Sequence, residues 1–507
     1  MNLQDLLHGA EILSQSGDVT VTGLEYDSRR VRQGNVFLAM RGETSDGNKF
    51  IDAAIAAGAA AIVTDSATEV PRPGVAWVQV PHGRRALGRL SANLFGHPAE
   101  KLDISGITGT NGKSTTAFLL ESILNAAGRK SALIGTIEYH VAGRILPAPH
   151  TTPESLELNR FLRDAVGDGA TEAVMEVSSH ALEQQRVFNV PFDVAIFTNL
   201  TRDHLDYHHT MEEYFAAKQI LFSGCGTEPP RVAILNADDE SGAELVKFSK
   251  ARGSKVATYG WDRGDFHSEK VQVTLRGTRL DLVTPHGKLP VWSPLIGKVN
   301  VYNILAAAAA ANARECSDEA ITRGVEDLDR VPGRFEPVDC GQPFTVVVDY
   351  AHTDDALRNL TSLAREFVSS AGGKGRVITL FGCGGDRDRA KRPLMGDAAG
   401  RGSDFVVLTS DNPRSEDPRA IINDAMVGLQ RSGTRYTVEP DRRTAIATAA
   451  REARAGDIVL IAGKGHEKVQ ITREGSAPFD DVQVAREVLG SAGYDCAGAA
   501  TGVGKTS

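Results

Sequence analysis

The sequence predicts a three-domain α/β protein whose sheets are mostly parallel. Short apolar strands alternate with amphipathic helices along almost the whole chain, which is the pattern of parallel strands joined by helical crossovers. The length of 507 residues fits a protein of several domains. A Pro-Gly pair in RVPGRFEPV, residues 330–338, separates two such runs. We therefore predict domains at 1–99, 100–333 and 334–493, and a flexible tail at 494–507.

The composition is that of an ordinary globular protein, with 41% hydrophobic and 24% charged residues. A formal net charge of -9 disfavours nucleic acid as a partner. No apolar run is long enough to span a membrane, and the N-terminus lacks signal-peptide features, so we expect a cytoplasmic protein. The five cysteines show no metal or redox spacing, and their odd number argues against a disulfide framework.

The first domain alternates short strands with helices. Two helices are predicted, at residues 50–59 and 83–95. Four segments have the apolar character of strands, namely VTVTGLEYD, NVFLAM, AAIVTD and AWVQV. This order predicts a small α/β unit.

The second domain opens with GITGTNGKST at residues 106–115. An apolar strand, KLDISG, precedes this segment, and an amphipathic helix, STTAFLLESILNAAG, follows it. A strand, a glycine-rich turn and a helix in this order make a phosphate-binding loop, in which helix N–H groups and Lys113 hold phosphate oxygens. Ile107 stands where the strict motif has glycine, so the loop is a variant.

A second match to the same template, GAATGVGKTS at 498–507, ends the chain. Only two residues follow Lys505, so no helix can present its N-terminus to a phosphate. We predict that this second segment does not bind nucleotide.

Strand-like segments follow the first loop in two groups. EAVMEV, VAIFTN and RVAILN predict a central, P-loop ATPase-like sheet that is mostly parallel. FTVVVDYA, RVITLFGCGG, DFVVLTSDNP and DIVLIAGKGH predict a Rossmann-like C-terminal sheet. Polar and glycine residues come directly after these last four strands, at the edge where α/β sheets bind ligands.

Three features of the central domain leave more than one interpretation open. Glu176 ends a strand, where a carboxylate can hold magnesium or cap a helix. Lys218 lies in the apolar helix YFAAKQILF, where the residues alone favour an ammonium that reaches solvent. The segment NLTRDHLDYHH contains four residues that can be zinc ligands or ordinary loop residues: Asp203, His204, Asp206 and His208.

Seven segments in this order resemble the motifs of the Mur ligase family: GITGTNGKST, MEVSSHAL, NLTRDHLDYH, FAAK, NVYNILAA, GRFE and DYAHTDDAL. The family consists of ATP-dependent enzymes that form amide bonds in peptidoglycan precursor synthesis. Within it, GCGGDRDRAKRPLMG, SDNPRSEDPRAII and AGKGHE resemble the members that add meso-diaminopimelate to UDP-N-acetylmuramoyl-L-alanyl-D-glutamate. The resemblance implies this reaction through an acyl phosphate, with release of ADP and phosphate.

The resemblance also implies ATP and Mg²⁺ as cofactors. The implied ATP contacts are Gly109, Thr110, Asn111, Gly112, Lys113, Ser114, Thr115, Asn303, Arg334, Asp349 and His352. The implied metal ligands are Ser114, Glu176, His204 and Lys218, the last as a carbamate. A carbamate is an anion that attracts Mg²⁺, whereas an ammonium repels it. The implied catalytic residues are Lys113, Lys218, Glu176, His204 and Arg334.

Two further sets of residues are implied for the substrates. The UDP-sugar-dipeptide set is Tyr26, Ser28, Thr151, Thr152, Ser178, Gln184 and Arg186. Residues 43–45, which follow in the same domain, depart from the family pattern. The diaminopimelate set is Arg387, Asp411, Asn412, Pro413, Arg414, Gly463 and Glu467. In this set two arginines face the carboxylates and a glutamate pairs with the ammonium.

Several alternatives remain. A ligase that adds lysine, or a folylpolyglutamate synthetase, keeps the enzyme class and changes the acceptor. A regulatory NTPase belongs to another class, and the variant loop and the C-terminal α/β domain argue against it. We expect a monomer whose partners are small molecules.

Overall fold

The computed structural model describes residues 1–42, 45–370 and 373–496. They form three α/β units in sequence order, each built on a sheet of its own, as predicted. A small two-stranded sheet is added to the third unit. Within these ranges, no helix has the length and apolar character needed to cross a membrane.

The N-terminal unit contains a five-stranded sheet covered by helices. Its strands are β1 (Ser14–Ser16), β2 (Gly23–Glu25), β3 (Asn35–Ala39), β4 (Ala61–Thr64) and β5 (Ala76–Gln79). Its helices are α1 (Leu3–Leu6), α2 (Ile51–Ala56) and α3 (Gly83–Phe95), with 3₁₀ turns at Ser28–Arg30 and Gly47–Phe50. The order is β1-β5-β4-β3-β2, and only β1 is antiparallel to its neighbour. Every residue of β3 is buried, because helices cover both faces.

The central unit is built on an eleven-stranded sheet. Its strands are β6 (Asp103–Thr108), β7 (Ser131–Ile134), β8 (Glu138–Val141), β9 (Arg144–Pro147), β10 (Glu172–Glu176), β11 (Phe192–Phe197), β12 (Val232–Asn236), β13 (Lys255–Gly260), β14 (Phe266–Thr274), β15 (Gly277–Thr284) and β16 (Gly287–Ser293). Its helices are α4 (Lys113–Ala126), α5 (Ser155–Gly167), α6 (Ser179–Glu183), α7 (Leu205–His208), α8 (Met211–Ser223), α9 (Glu240–Lys250), α10 (Lys298–Ala313) and α11 (Asp318–Asp327). A 3₁₀ turn, Pro98–Lys101, leads into β6.

The middle of this sheet is parallel, and its two ends are antiparallel. The order is β16-β15-β14-β13-β12-β11-β6-β10-β7-β8-β9. Strand β6 lies between β10 and β11, and all three run in the same direction. The residues that follow these three strands therefore meet at one edge of the sheet. Helix α10 packs on the sheet through residues 306–311, all of them buried alanines, as predicted for a closely packed helix.

The C-terminal unit is a six-stranded sheet flanked by helices. Its strands are β17 (Glu336–Val338), β18 (Thr345–Asp349), β19 (Val377–Phe381), β20 (Phe405–Leu408), β21 (Arg435–Val438) and β22 (Ile458–Ala462). They take the order β17-β18-β22-β19-β20-β21, parallel except for β17. The hairpin strands β23 (Val469–Thr472) and β24 (Gly475–Pro478) follow. The helices are α12 (Asp354–Ser370), α13 (Lys391–Gly402), α14 (Pro418–Ser432), α15 (Arg442–Glu452) and α16 (Asp481–Ser491).

The end of the described chain corrects two predictions. Cys340 and Cys496 form a disulfide across 156 residues of sequence, so the expectation of no disulfide is wrong. Sequence spacing gave no signal, because the two residues meet only after α16 packs against the sheet. Tyr494, placed by us in a flexible tail, packs its ring edge-on against Phe344. The segment at 498–507, which we predict does not bind nucleotide, lies outside the described residues.

Candidate active site

The glycine-rich loop between β6 and α4 depends on two glycines with positive φ. Gly109 has φ +144°, and a Cβ there would lie 1.9 Å from Thr198 Oγ1. Gly112 has φ +87°, and a Cβ there would lie 2.5 Å from Asn303 Oδ1. Only glycine fits either position. Gly112 is the N-cap of α4 and makes no side-chain cap, so the first N–H groups of the helix are available to a phosphate.

Lys113 is held across this loop. Its Nζ donates to the carbonyl oxygens of Gly109, at 3.0 Å, and Thr110, at 2.8 Å. Burial lowers the pKa of Lys113, although Glu176 acts in the opposite direction. Positive charge, free helix N–H groups and a glycine backbone are the parts that bind nucleotide phosphates. The loop therefore fits the phosphates of ATP.

Residues after β11 hold the loop in shape. Thr198 Oγ1 donates to the carbonyl of Asn111 at 2.7 Å. Asn199 Oδ1 accepts from the N–H of Asn111 at 2.9 Å, and the Asn199 carbonyl accepts from the N–H of Thr110 at 2.9 Å. The adjacent strands β6 and β11 thus position the loop together.

Lys218 lies beneath the loop, and the interpretation that its ammonium reaches solvent is wrong. Its side chain on α8 is buried, with 1% of the residue exposed. The Nζ donates to the Gly109 carbonyl at 2.9 Å and lies 4.4 Å from the centre of the Tyr214 ring. Burial, and then the charge of Lys113, lower the pKa of Lys218 well below its usual value. Helix α8 packs against α6 and α9, which buries this side chain on the inner side of the loop.

The four implied metal ligands lie around the loop, but they do not form a closed cage. Glu176 is fully buried, and its two oxygens accept from the N–H and the hydroxyl of Thr136, at 2.7 and 2.8 Å. Ser114 Oγ lies 3.3 Å from Arg334 Nη2. Across the described ranges, no three His, Cys, Asp or Glu side chains gather in a way that could hold a metal ion. The zinc alternative therefore finds no support in them.

The implied nucleotide residues of the C-terminal unit meet the loop at the junction of the two units. Arg334 reaches Ser114 and lies 4.6 Å from the centre of the Tyr350 ring. Asp349 accepts from the N–H groups of Phe335 and Ala351, at 2.7 and 2.8 Å. Burial raises the pKa of Asp349, against the effect of Arg334. In the central unit, the implied nucleotide residue Asn303 lies on α10, where its Nδ2 donates to Asn300 Oδ1 at 3.0 Å.

Asp203 is a buried carboxylate at this junction that our predicted ATP and metal sets lack. It is 5% exposed. Its Oδ2 lies 3.7 Å from His352 Nε2, and its Oδ1 lies 3.5 Å from Lys391 Nζ. Both partners belong to the C-terminal unit, and so does Asp388, which pairs with Arg202 at 3.6 Å. The segment after β11 thus contacts both units.

The residues implied for the UDP-sugar-dipeptide lie in two linked groups. In the first, Thr152 Oγ1 donates to the Glu176 carbonyl at 2.9 Å and accepts from the N–H of Ser178 at 3.1 Å. Arg186 donates to Gln184 Oε1 at 2.7 Å and to the Thr152 carbonyl at 3.0 Å. Thr151 joins this group through the hydroxyl of Thr136, at 3.1 Å.

The second group is in the N-terminal unit. The Tyr26 hydroxyl donates to Glu157 of α5 at 3.1 Å. Ser28 begins the short turn whose Arg30 lies 3.3 Å from the same carboxylate. Helix α5 connects the groups, because Ser155 Oγ donates to the Arg186 carbonyl at 2.8 Å. Residues 43 and 44 lie outside the described residues.

The implied diaminopimelate residues gather at the carboxyl edge of the C-terminal sheet. Asp411, Asn412, Pro413 and Arg414 follow β20, Gly463 and Glu467 follow β22, and Arg387 follows β19. Arg414 has φ +52°, and its Nη1 donates to the Gly385 carbonyl at 2.8 Å. Burial and the charge of Arg387 lower the pKa of Arg414. Arg387 and Arg414 both lie beside Gly384, and two neighbouring guanidinium groups are an arrangement that suits a ligand with carboxylates.

The chain is similar to known proteins along most of its length. Three family profiles match consecutive parts of it: the Mur ligase family catalytic domain at 20–94, the Mur ligase middle domain at 107–311, and the Mur ligase glutamate ligase domain at 333–465. The chain belongs to the Mur ligase family. The resemblance predicted from the motifs is confirmed, and so is the class of enzyme, a ligase.

Two curated relatives and one solved structure carry the same name, UDP-N-acetylmuramoyl-L-alanyl-D-glutamate--2,6-diaminopimelate ligase. The protein from Solibacter usitatus is 52% identical, over 97% of this chain and 99% of its own. The protein from Geobacter sulfurreducens is 45% identical, over 96% and 98%. The solved structure is 35% identical, with a TM-score of 0.66, over 97% of this chain and 99% of its own.

Several residues of this Mur ligase site were missed from sequence. Thr136, which binds Glu176, is one of many threonines in the chain, and nothing in its sequence context marks it. Lys464 of the segment AGKGHE is buried beside Asn412 and Glu467, although we singled out only its neighbours. Asp203 was weighed only as a zinc ligand or an ordinary loop residue. Position directly after a parallel strand is the shared signal of Thr198, Asn199 and Lys464.

Proposed function

We propose that this Mur ligase uses ATP to join meso-diaminopimelate to UDP-N-acetylmuramoyl-L-alanyl-D-glutamate. The observation that carries the proposal is the group formed by Arg387, Arg414, Asn412 and Glu467 at the carboxyl edge of the C-terminal sheet. The names of relatives aligned over almost the full chain support the same acceptor.

The reaction requires activation of a carboxylate. A free carboxylate is a poor electrophile, so the γ-phosphoryl group of ATP is transferred to the carboxylate of the dipeptide, which gives an acyl phosphate and ADP. The amine of diaminopimelate attacks this carbonyl carbon, the amine loses a proton, and phosphate leaves from the tetrahedral intermediate. The contribution of the protein is chiefly positioning and neutralisation of charge.

Two cations of this chain are placed for that neutralisation. Lys113 lies across the loop, and the guanidinium of Arg334 reaches the first turn of α4 from the C-terminal unit. Each adds positive charge near the γ-phosphoryl group, which carries negative charge while it is transferred. Because Arg334 belongs to a different unit, the two cations act together only while the units are in contact.

The environment of Lys218 supports its carbamoylation. Lys113 and Lys218 both donate to the Gly109 carbonyl, so two ammonium groups would share one acceptor in a buried place. A neutral amine, which the lowered pKa of Lys218 favours, is the form that reacts with carbon dioxide. The carbamate removes the like charge and adds an anion.

Mg²⁺ would be held by Ser114, Glu176, His204 and the Lys218 carbamate, together with phosphate oxygens. Magnesium in nucleotide sites keeps several waters and needs only a few protein ligands, so an open arrangement fits it. When bound, the ion supplies charge neutralisation at the phosphates. Thr136 fixes the Glu176 carboxylate through two hydrogen bonds and so sets its orientation toward the loop.

The wider role follows from the reaction. A product that carries a UDP-sugar and a lengthened peptide is a peptidoglycan precursor, which connects the protein with cell-wall biogenesis, cell shape and cell division. We infer that the reaction takes place in the cytoplasm, since its proposed substrates are ATP and a UDP-linked sugar. We further propose that the protein acts as a monomer.

The test is ligation by the purified protein. The protein is incubated with ATP, Mg²⁺, the UDP-sugar-dipeptide and one of three additions: meso-diaminopimelate, L-lysine or no amine. We expect a product increased by the mass of diaminopimelate minus water, and phosphate release only when amine and dipeptide are both present. Equal product with L-lysine would contradict the acceptor, and phosphate release without dipeptide would contradict the ligase mechanism.

A further inference from the structure

Lys464 is a fully buried lysine at the end of β22, between Gly463 and Glu467 of the proposed diaminopimelate pocket. Its Nζ donates to three oxygens: Asn412 Oδ1 at 3.0 Å, Glu467 Oε2 at 3.0 Å and the Val469 carbonyl at 2.7 Å. All three N–H bonds of an ammonium are thus in use. Lys464 therefore connects the loop after β20, the loop after β22 and the β23–β24 hairpin.

These contacts fix the orientation of the Asn412 side chain. Its Oδ1 accepts from Lys464 and also from the N–H of Ile471, at 2.9 Å. Two donors on one side of the amide require an oxygen there, so the amide nitrogen must face the other way. That nitrogen, Nδ2, donates to Glu467 Oε2 at 2.7 Å. Lys464 and the hairpin therefore determine the orientation of the Asn412 amide group, that is, which side carries Oδ1 and which carries Nδ2.

The same contacts give the two oxygens of the Glu467 carboxylate different roles. Both Lys464 Nζ and Asn412 Nδ2 bind Oε2, and Oε1 makes no hydrogen bond to the described part of the chain. The glutamate side chain is 28% exposed, whereas that of Lys464 is not exposed at all. One oxygen thus anchors the carboxylate, and the other is left for a ligand ammonium. Without Lys464, Glu467 would keep its charge but lose its fixed position.

The hairpin supports the same loop from outside. The N–H of Arg414 donates to the Ile471 carbonyl at 3.0 Å, and Gln470 Nε2 donates to the Asp411 carbonyl at 2.7 Å. Lys464 joins the hairpin to β22 through Val469. The backbone that presents the Arg414 guanidinium is therefore held through the hairpin, and the hairpin is held in part by Lys464.

We propose that Lys464 is a positioning residue for the acceptor amino acid: it fixes Asn412 and Glu467 so that the pocket prefers diaminopimelate to lysine. This inference rests on the proposed function. Lys464 does not touch the acceptor, because its three donors are used within the protein. Its effect reaches the acceptor through the free oxygen of Glu467, the amide of Asn412 and the loop of Arg414.

The test compares Lys464→Met with Lys468→Met. Methionine keeps the length and apolar stem of the side chain and removes the ammonium. Lys468 is four residues away, is 62% exposed and pairs with Asp480 at 2.6 Å, so it is a matched control. Lys464→Met should raise KM for meso-diaminopimelate about tenfold or more, the effect of losing charge-assisted hydrogen bonds. KM for ATP and for the UDP-sugar-dipeptide should change about twofold or less.

A purely structural role predicts a different result. In that case Lys464→Met lowers Tm but leaves KM for diaminopimelate and the preference over L-lysine unchanged, and this result would overturn the proposal. If Lys464→Met does not fold, Lys464→Arg keeps the buried charge, yet its longer side chain and planar donors do not reproduce the three directions in which the ammonium donates. An unchanged KM in a folded Lys464→Arg protein would overturn the proposal equally.

A double variant tests the route through Asn412. Because Lys464 acts partly through Asn412, adding Lys464→Met to Asn412→Ala should raise KM by less than the product of the two single effects, since only the routes through Glu467 and the loop of Arg414 remain. Fully multiplicative effects would show that Lys464 acts independently, against the proposal. Failure of the wild-type protein to ligate diaminopimelate would instead contradict the proposed function, so the two failures are distinguishable.

Discussion

At the scale of single residues, the site depends on charges that are unfavourable without a ligand. Lys113 and Lys218 share the Gly109 carbonyl, and Arg387 lowers the pKa of Arg414. Like charges at short range destabilise a folded protein unless an anion separates them. Each pair is consistent with the anions that we propose there: phosphate and carbamate at the first pair, carboxylates at the second.

Replacing Lys218 tests the first pair. Lys218→Ala should be nearly inactive, because it removes the proposed anion beside the metal, and short carboxylates such as formate or acetate should restore part of the activity. Phosphate release is measured with all three substrates, with and without added carboxylate. Lys247→Ala, on the exposed face of α9, is the control and should keep wild-type activity. Normal turnover of Lys218→Ala would disprove the carbamate.

Replacing Arg414 tests the second pair. Arg414→Ala should lower kcat/KM for meso-diaminopimelate about a hundredfold or more, since a carboxylate loses a bidentate cationic partner. Affinity for ATP and for the UDP-sugar-dipeptide, measured by calorimetry, should stay within about threefold. The control is Arg419→Ala, an exposed arginine of the adjoining helix α14. A parallel loss of all three affinities would show that Arg414 supports only the fold.

At the scale of helices and strands, the elements that could be predicted from sequence are those with a clear hydrophobic pattern. Buried parallel strands such as β10 and β22 are continuous apolar runs followed by polar residues, so both the strand and its functional edge were predicted. Strands β14 to β16 alternate exposed and buried residues at the edge of the sheet, and we did not predict them. The burial of Lys218 was unpredictable because it depends on α8 packing beneath a loop 109 residues away in sequence.

The loop and helix around Lys113 should be the nucleotide site, and the similar C-terminal segment should not. Lys113→Ala removes the charge that lies across the loop, so ATP binding and ligation should be lost. Deletion of residues 498–507, or Lys505→Ala, should leave both near wild type, because the loop between β6 and α4 already supplies the glycine backbone and the helix N-terminus that a phosphate needs. Binding of a fluorescent ATP analogue and phosphate release measure the two outcomes. Loss of ATP binding on deletion would reverse the assignment.

His140 links β8 to α4 and should make stability depend on pH. It lies between Glu121, 2.8 Å from Nδ1, and Glu138, 2.9 Å from Nε2. Burial alone lowers the pKa of His140, but the two carboxylates outweigh burial and raise the pKa from 6.5 to about 9. A raised pKa means that the folded protein binds the proton more tightly than the unfolded chain does. The stabilisation is therefore complete below pH 6.5 and is lost as the pH rises through about 9.

The measurement is thermal unfolding of the wild type and of His140→Gln from pH 6 to pH 10. The variant should be less stable at pH 6 by up to about 3 kcal/mol, and the difference should shrink as the pH rises. Because other groups titrate in both proteins, only the difference between the two curves is interpreted. A difference that does not depend on pH would mean that the His140 charge contributes nothing.

At the scale of the whole molecule, the site is complete only where the central and C-terminal units meet. Arg334 reaches Ser114, Asp355 accepts from Asn111 Nδ2 at 3.2 Å, and Asp388 pairs with Arg202. The proposed acceptor pocket lies entirely on the C-terminal unit, and the phosphate loop lies entirely on the central one. Amine attack on an acyl phosphate therefore requires these units to be in contact.

Asp203 is a buried carboxylate of this junction that pairs with residues of the C-terminal unit, so we expect it to control contact between the units. Asp203→Asn keeps the shape of the side chain and weakens the attraction to Lys391, at 3.5 Å, and to His352, at 3.7 Å. Its pair with Lys391 is almost fully buried, so removing one charge leaves the other without its partner and should weaken the contact more than an exposed pair would. Small-angle scattering should show a larger radius of gyration for Asp203→Asn, and ligation should fall while Tm changes little, because each unit keeps its own core. Asp206→Asn, three residues away and exposed, is the matched control and should behave as wild type. An unchanged radius with reduced ligation would instead assign Asp203 to the chemistry at the phosphate loop.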